Sequence, residues 1–416
     1  MKKIRVGIFG TERGISLGQN FLMNNCEIVA VCDQRSEREQ HARNCLGKDF
    51  IWYNDFDSFI EHDMDAVVLA NYFHEHTPYA IRCFEKGIHV YSECISNGTM
   101  AEGVELIRAF EKNDSVIYML AENYPQMKFN REMKRVCDGG TLGKIVYAEG
   151  EYNHPANPYD APFYKAHVYR ADHWRNYIPK SYYVTHSLGP IMRATGATPK
   201  KVTSFNCSAP VNRNDPGGCY SAPDIAAIIT TLNDDGSVFK FTACSAFGAH
   251  SNSYRICGTE GQIENLRGMG EKVMLRYNGW SKPEGMEEVN FYEPEWNDKD
   301  EDFIKQSGHG GGDYLTVRHF VDCIKNGCQP EFPFDIYSAV AMSSVAILAH
   351  RSMLEGGAPY DIPDFRLEEC RKQYENDRLT PCYGENGVVP NIPCCSVTDY
   401  KPTEEQIKKY LDLVNS

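Results

Sequence analysis

Near the N-terminus an apolar run, Val6-Gly7-Ile8-Phe9, breaks on Gly10 and passes directly into a helical pattern after Gly14. The same alternation continues to residue 122. Strands are expected at Ile4–Phe9, Glu27–Cys32, Ala66–Ala70 and His89–Ser92, with Val116–Ala121 closing the set and helices such as Thr77–Lys86 and Thr99–Asn113 between them. Strands separated by helices are joined by crossovers, which makes the sheet parallel and doubly wound. A glycine turn between the first strand and the first helix lets an anion approach the helix N-terminus, where free N–H groups and the dipole favour negative charge. Gly10, Thr11, Arg13 and Gly14 are therefore the expected dinucleotide-contacting residues, although Glu12 or its neighbour stands where the middle glycine is usual, and a plain glycine turn is the alternative. Asp33 closes the second strand about 20 residues on, where an acid holds ribose hydroxyls and favours NAD over NADP. Arg35 weakens that preference, and Asp33 can also be read as a turn residue.

After residue 123 the period changes. A helix over Phe129–Asp138 leads to a strand at Val146–Tyr152, and alternating stretches follow at Lys201–Cys207, Ala226–Asn233, Phe239–Ala246, Ser253–Cys257 and Lys272–Tyr277. Alternation of apolar and polar residues indicates an antiparallel sheet with one covered face. Residues 280–312 are acidic, aromatic and Gly-rich and are expected to be loop, with helices at Tyr314–Lys325, Ile336–Glu355 and Thr403–Val414. The fold class expected is thus α/β: an N-terminal Rossmann domain (1–122), a C-terminal α+β domain with a large, mostly antiparallel sheet (123–365) and a C-terminal extension (366–416).

Composition narrows the function. A chain of 416 residues exceeds one ordinary core and suits two domains. A net charge of −14 argues against a nucleic-acid partner, because phosphate binding needs a basic footprint. No run of about 18 apolar residues is present to span a membrane, and the N-terminal apolar stretch is a first strand rather than a signal peptide. The sixteen cysteines are scattered and form no pair of CxxC elements, so a zinc ribbon is not expected and reduced thiols in a cytoplasmic protein are. His74 and His76 have a ligand-like spacing, but Thr77-Pro78 reads as a helix start and no metal is expected. With Asn71 at the end of the third strand, both histidines fall at the crevice where a cofactor would lie.

Several segments resemble the glucose–fructose oxidoreductase/inositol dehydrogenase (Gfo/Idh/MocA) family, and most nearly the NAD-dependent glycosidases of glycoside hydrolase family 109. Glu93-Cys94-Ile95 stands where sugar dehydrogenases carry Glu-Lys-Pro and these glycosidases carry Glu-Val-Pro. Glu122-Asn123, Gly150-Glu151-Tyr152-Asn153-His154, Trp174-Arg175, Tyr183 to Pro190, Gly308 to Asp313 and Ile362 to Phe365 match further family elements. Val184 replaces a family proline, the Asn153–Lys180 loop is this chain's own, and the tail is extended. The resemblance implies NAD as cofactor and a small carbohydrate or glycoside as substrate. It implies transient oxidation at C3, proton removal at C2, elimination at C1 and addition of water. It assigns His186 to the C3 hydroxyl proton or to water, and Tyr152 and His154 to the C2 base and an acid. Tyr183 would touch substrate or cofactor, and His309 would close over the substrate. Asn71, His74, His76, Glu93, Cys94, Asn123, Trp174 and Arg175 would lie at the cofactor, Cys94 as an inert thiol. Sheets of this family often pair subunits, so a homo-oligomer through the sheet is expected. A sugar or cyclitol dehydrogenase that releases NADH is the competing activity, and a catalytically silent nucleotide-binding protein a third reading.

Overall fold

The computed structural model describes residues 3–155, 173–209, 220–384 and 388–415. Two compact units emerge: 1–127 with 297–340 and 365–378, and 128–296 with 341–364 and 379–416.

The first unit is built on six strands, β1 (Arg5–Phe9), β2 (Glu27–Cys32), β3 (Ile51–Tyr53), β4 (Ala66–Leu69), β5 (His89–Ser92) and β6 (Tyr118–Leu120). All pair in parallel, in the order β3-β2-β1-β4-β5-β6. The order reverses between β1 and β4, so a crevice opens beyond their carboxyl ends. Ala-Val-Val-Leu of β4 is buried throughout, as a strand covered by helices on both faces must be. The helix Met100–Glu111 starts on a reciprocal cap: Glu102 N donates to Thr99 Oγ1 at 3.2 Å and Thr99 N to Glu102 Oε2 at 2.9 Å.

The expected boundaries 1–122, 123–365 and 366–416 do not coincide with these units, and side chains give the reason. Helix Gly312–Asn326 inserts Val317, Phe320 and Val321 into the core of the parallel sheet, with the Phe320 ring 5.3 Å from Tyr91 and 6.1 Å from Phe21. Arg371 is buried and donates to Glu111 Oε2 at 2.6 Å and to the Phe365 carbonyl at 2.6 Å, which fastens residues 365–378 to the same unit.

The second unit carries a nine-stranded sheet: β7 (Ile145–Asn153), β8 (Pro199–Ser208), β9 (Asp224–Asn233), β10 (Val238–Ser245), β11 (Ser251–Gly258), β12 (Gly261–Asn265), β13 (Val273–Tyr277), β14 (Val289–Tyr292) and β15 (Tyr360–Asp361). Their order is β14-β13-β12-β11-β7-β10-β9-β8-β15, antiparallel except where β10 runs parallel to β7. The 280–312 stretch, expected to be loop, contains β14 and a helix over Glu301–Gln306. Gly150 lets helix Thr185–Thr195 lie directly on β7, because a Cβ there would meet the Ser187 carbonyl oxygen at 2.2 Å. The tail is fastened by buried polar pairs: the His350 Nε2 contact to the Pro393 carbonyl at 2.7 Å, Asn176 Nδ2 donating to Tyr410 Oη at 3.3 Å, and Ser396 N donating to Asp224 Oδ2 at 2.8 Å. Burial pushes the His350 imidazole down to about 4, so it meets Pro393 as a neutral donor.

Candidate functional site

In the first unit, Gly10 closes β1 with φ 91°, a conformation that favours glycine, and a Cβ would strike the Ala70 carbonyl oxygen at 2.3 Å. The helix begins at Thr11 itself, with no side-chain cap. Asp33 is buried and ties the end of β2 to that helix start. Its Oδ2 accepts Thr11 N at 2.9 Å and the Thr11 hydroxyl, and its Oδ1 accepts Arg35 N at 2.9 Å. Arg38 adds bonds to Thr11 Oγ1 at 3.3 Å and to the Thr11 carbonyl at 3.4 Å. Thr11 is thus the residue that couples the anchoring acid to the glycine turn.

Arg13 is engaged by carboxylates: Nε to Glu93 Oε1 at 3.0 Å, and two bonds to Asp313 at 3.0 and 2.5 Å. Asp313 is wholly buried and also accepts from Asn123 Nδ2 at 2.6 Å and contacts His309 Nδ1 at 3.1 Å. Burial alone would push the Asp313 carboxyl up. The hydrogen bond from His309 and the Arg13 charge outweigh it and hold the group well below the usual carboxylate range. Glu93, Arg13, Asp313, Asn123 and His309 therefore form one charged network, and Asp313 is its centre. The other four are expected site residues in the sequence, whereas Asp313 stands there only as the last residue of the Gly308 to Asp313 motif. The buried end of that Gly-rich motif was the available signal.

Cys94, at the lysine position, is buried and directs its thiol to Glu122 Oε2 at 3.4 Å. The Cys94–Ile95 peptide is cis. His76 turns inward, its Nδ1 2.7 Å from the Ile95 carbonyl, and burial pushes it down to about 4, so it stays neutral. His74 Nε2 lies 3.5 Å from Glu75 Oε1. These contacts make both histidines supports of the β4 and β5 loops. Two buried acceptors, Asn71 Oδ1 after β4 and Asn123 Oδ1 after β6, have no partner among the described residues. Such atoms are costly unless something donates to them. With the Gly10 turn, they fit the hydroxyl and amide donors of a dinucleotide.

In the second unit the structure gathers four expected residues. The Tyr152 ring lies 4.9 Å from His186 at 85°, 5.7 Å from His154 and 6.3 Å from Tyr183, and Tyr183 lies 5.9 Å from His186. Tyr152 lies on β7 and His154 follows directly on its last residue, Asn153, and His186 sits in the first turn of helix Thr185–Thr195. Pro190 explains how that turn is fixed. It lies four residues after His186 and has no N–H, so the His186 carbonyl has no helical partner there. Tyr254 Oη of β11 donates to that carbonyl at 2.6 Å. A fifth ring, His250, stands 4.9 Å from His154; no motif marked it in the sequence. Trp174 and Arg175 also lie in this unit, with the Arg175 guanidinium 4.4 Å over the Trp174 ring. Of the Asn153–Lys180 loop, residues 156–172 fall outside the described residues.

Two family models together match most of the chain. The family described as oxidoreductase, NAD-binding Rossmann fold, matches residues 4–121, and that described as glycosyl hydrolase 109, C-terminal domain, matches residues 132–372, more than half of the chain. A glycosyl hydrolase family 109 protein of Stenotrophomonas maltophilia is 22% identical over 413 residues, covering 88% of this chain and 89% of its own length. Another from Saccharopolyspora erythraea is 26% identical over 396 residues, covering 87% and 83%. Among solved structures, levoglucosan dehydrogenase in complex with NADH and L-sorbose shares the fold with a TM-score of 0.70 at 16% identity, covering 87% of this chain and 100% of that one. Myo-inositol 2-dehydrogenase from Lactobacillus plantarum does so with a TM-score of 0.66 at 18% identity and the same coverage. The chain belongs to the glycosyl hydrolase 109 family, an enzyme of Gfo/Idh/MocA type whose N-terminal part is an NAD-binding Rossmann domain.

Proposed function

We propose that the protein is an NAD-dependent glycoside hydrolase acting on a small glycoside through transient oxidation at C3. The observation that carries this reading is the gathering of Tyr152, His154, Tyr183 and His186, with ring centroids 4.9–6.3 Å apart, together with a thiol facing Glu122 where a dehydrogenase keeps its lysine. Bound NAD supplies the capacity to accept a hydride from C3 and to return it. Gly10, Thr11, Gly14, Asp33, Asn71 and Asn123 hold that cofactor. Arg13 and Glu93 act on it through the Asp313 network, and His74, His76 and Cys94 shape the loops around it.

The second unit handles protons. His186 takes the C3 hydroxyl proton as the hydride leaves and restores it at the end. Once C3 is a ketone the C2 proton is acidic, and the Tyr152–His154 pair removes it. The C1–oxygen bond then breaks with a proton delivered to the leaving group. Water adds at C1, a proton returns to C2, and the free sugar has gained one water with no net oxidation. Such steps need groups that work near neutral pH, which histidine provides, and tyrosine beside it can share the proton. Tyr183 packs on the substrate against His186. Trp174 and Arg175 form a stacked wall for its polar edge. His309, bonded to Asp313, covers the cofactor end.

The sorbose and levoglucosan complexes of a structural neighbour support a carbohydrate substrate. A second copy of the chain pairs with the first through the nine-stranded sheet, and the cytoplasm is the compartment that suits this cysteine usage. Incubation with nitrophenyl glycosides, with and without added NAD, tests the activity. Nitrophenol released without net NADH supports it. NADH accumulating in step with oxidised sugar would establish the dehydrogenase instead.

A further inference from the structure

His250 lies in the turn between β10 and β11, and that turn is built to hold it in place. Asn153, the last residue of β7, is buried and donates from Nδ2 to the carbonyls of Ala249, at 2.7 Å, and Phe247. The strands on either side are registered to the same residue: Ser245 of β10 and Ser251 of β11 both stand opposite Asn153. His154 N closes the arrangement by donating to the Ser245 carbonyl at 2.8 Å. Together these bonds set the His250 ring 4.9 Å from His154 at 75°. The rings then run His250, His154, Tyr152, His186, from two exposed histidines to a buried tyrosine and a half-buried histidine.

From this geometry we propose that His250 is a proton-transfer residue that exchanges protons between His154 and water. The proposal rests on the reading of Tyr152 and His154 as the pair that removes the C2 proton. The proton leaves C2 for that pair, passes from His154 to His250, and is released to solvent; the return path supplies it for protonation. Two imidazoles this close resist carrying charge together, which favours passing a single proton from one to the other. Among the described residues, Tyr183 also faces the row, beside Tyr152 and His186. Glu151 lies on the opposite face of β7 and is held by Arg267 at 3.0 Å, so it does not compete for this proton.

The experiment is a pH titration of the imidazole signals of the full-length, histidine-labelled protein by NMR. In the wild type, His154 and His250 titrate in coupled steps. In His250→Gln the coupling disappears and the His154 midpoint rises, because a like charge has been removed. Asn153→Ala, which releases the turn while leaving both rings, weakens the same coupling. In His250→Ala, C2 proton exchange into heavy water and turnover fall about tenfold, on the lower side of what a positioned proton-transfer group contributes, and added imidazole restores both. A His154 titration that is identical with and without His250 overturns the proposal, as does a turnover loss that imidazole leaves unchanged. Absence of any glycoside cleavage in the wild type would refute the hydrolase reading instead, and the titration still decides whether the two histidines exchange a proton.

Discussion

Asp313→Ala tests whether the charged network holds the first unit together. The carboxylate is wholly buried and binds Arg13 through two bonds, with Asn123 and His309 on its remaining lone pairs. Removing one partner of a buried ion pair costs about 3–5 kcal/mol, because the other charge is left uncompensated. Glu93 still accepts from Arg13 Nε, and the Arg13 side chain is 29% exposed, so the lower end, about 3 kcal/mol, is expected here. With a urea dependence of about 2 kcal/mol per M, that loss moves the midpoint by about 1.5 M. Hydrogen exchange in rising urea, followed in peptides from 3–127 and 297–340, reports this unit alone. Asp313→Leu with Arg13→Met should cost less than the two single changes added, with a coupling above about 1 kcal/mol. The pH dependence has a fixed sign. The folded carboxyl lies below its ordinary 3.8, so its stabilisation is present above that value and is lost as pH falls below it. Asp313→Asn should flatten the acid limb of the stability profile. Single changes costing under about 0.5 kcal/mol, or a coupling of that size, would refute the account of the network, since surface pairs give no more.

Gly150→Ala should lower stability by about 1–3 kcal/mol through overpacking, because the added methyl meets the backbone of Ser187, and activity should fall with it as Tyr152 and His186 are forced apart; thermal melts beside glycosidase assays check this. Tyr254→Phe leaves the His186 carbonyl without its donor and should cost about 1–3 kcal/mol. Pro190→Ala in that background supplies a helical N–H and should recover part of the loss in a denaturant titration. Under mild iodoacetamide, mass spectrometry should find exposed Cys328 alkylated and buried Cys94, facing Glu122, untouched. Thr11→Val removes the hydroxyl bond to Asp33 and should weaken NADH binding, read by cofactor fluorescence in a direct titration.

The parallel sheet was legible because its signals are local. Buried runs such as Ala66–Leu69 and the Thr99 to Glu102 cap are complete within a few residues. The long strands of the second sheet were legible from their alternation, and their observed ends fall within two residues of the expected ones. Short β3, β12, β14 and β15 were missed, since strands of two to five residues hold too few alternations to stand out. In the site, Tyr152, His154, Tyr183 and His186 were marked by the family resemblance of the segments that carry them. Asp313 and His250 were not, because their meaning depends on partners far along the chain: Arg13 is 300 residues from Asp313, and the turn holding His250 is clamped by Asn153. Arg13 was expected at the cofactor and is found between two carboxylates for the same reason.

The return of residues 297–340 to the first unit sets a timetable for making the protein. Arg13 leaves the ribosome early, but Asp313, the carboxylate that binds it through two bonds, is 300 residues behind. At about 5–20 residues per second, the wait is about 15–60 s. During that interval Phe21 and Tyr91 lack Phe320, the ring that packs against them. The nascent nucleotide-binding unit is thus an incomplete core awaiting its last helix, and a chain released at Met127 would keep that gap permanently. Chaperone dependence should therefore concentrate in the stretch of synthesis between the end of β6 and the emergence of helix Gly312–Asn326.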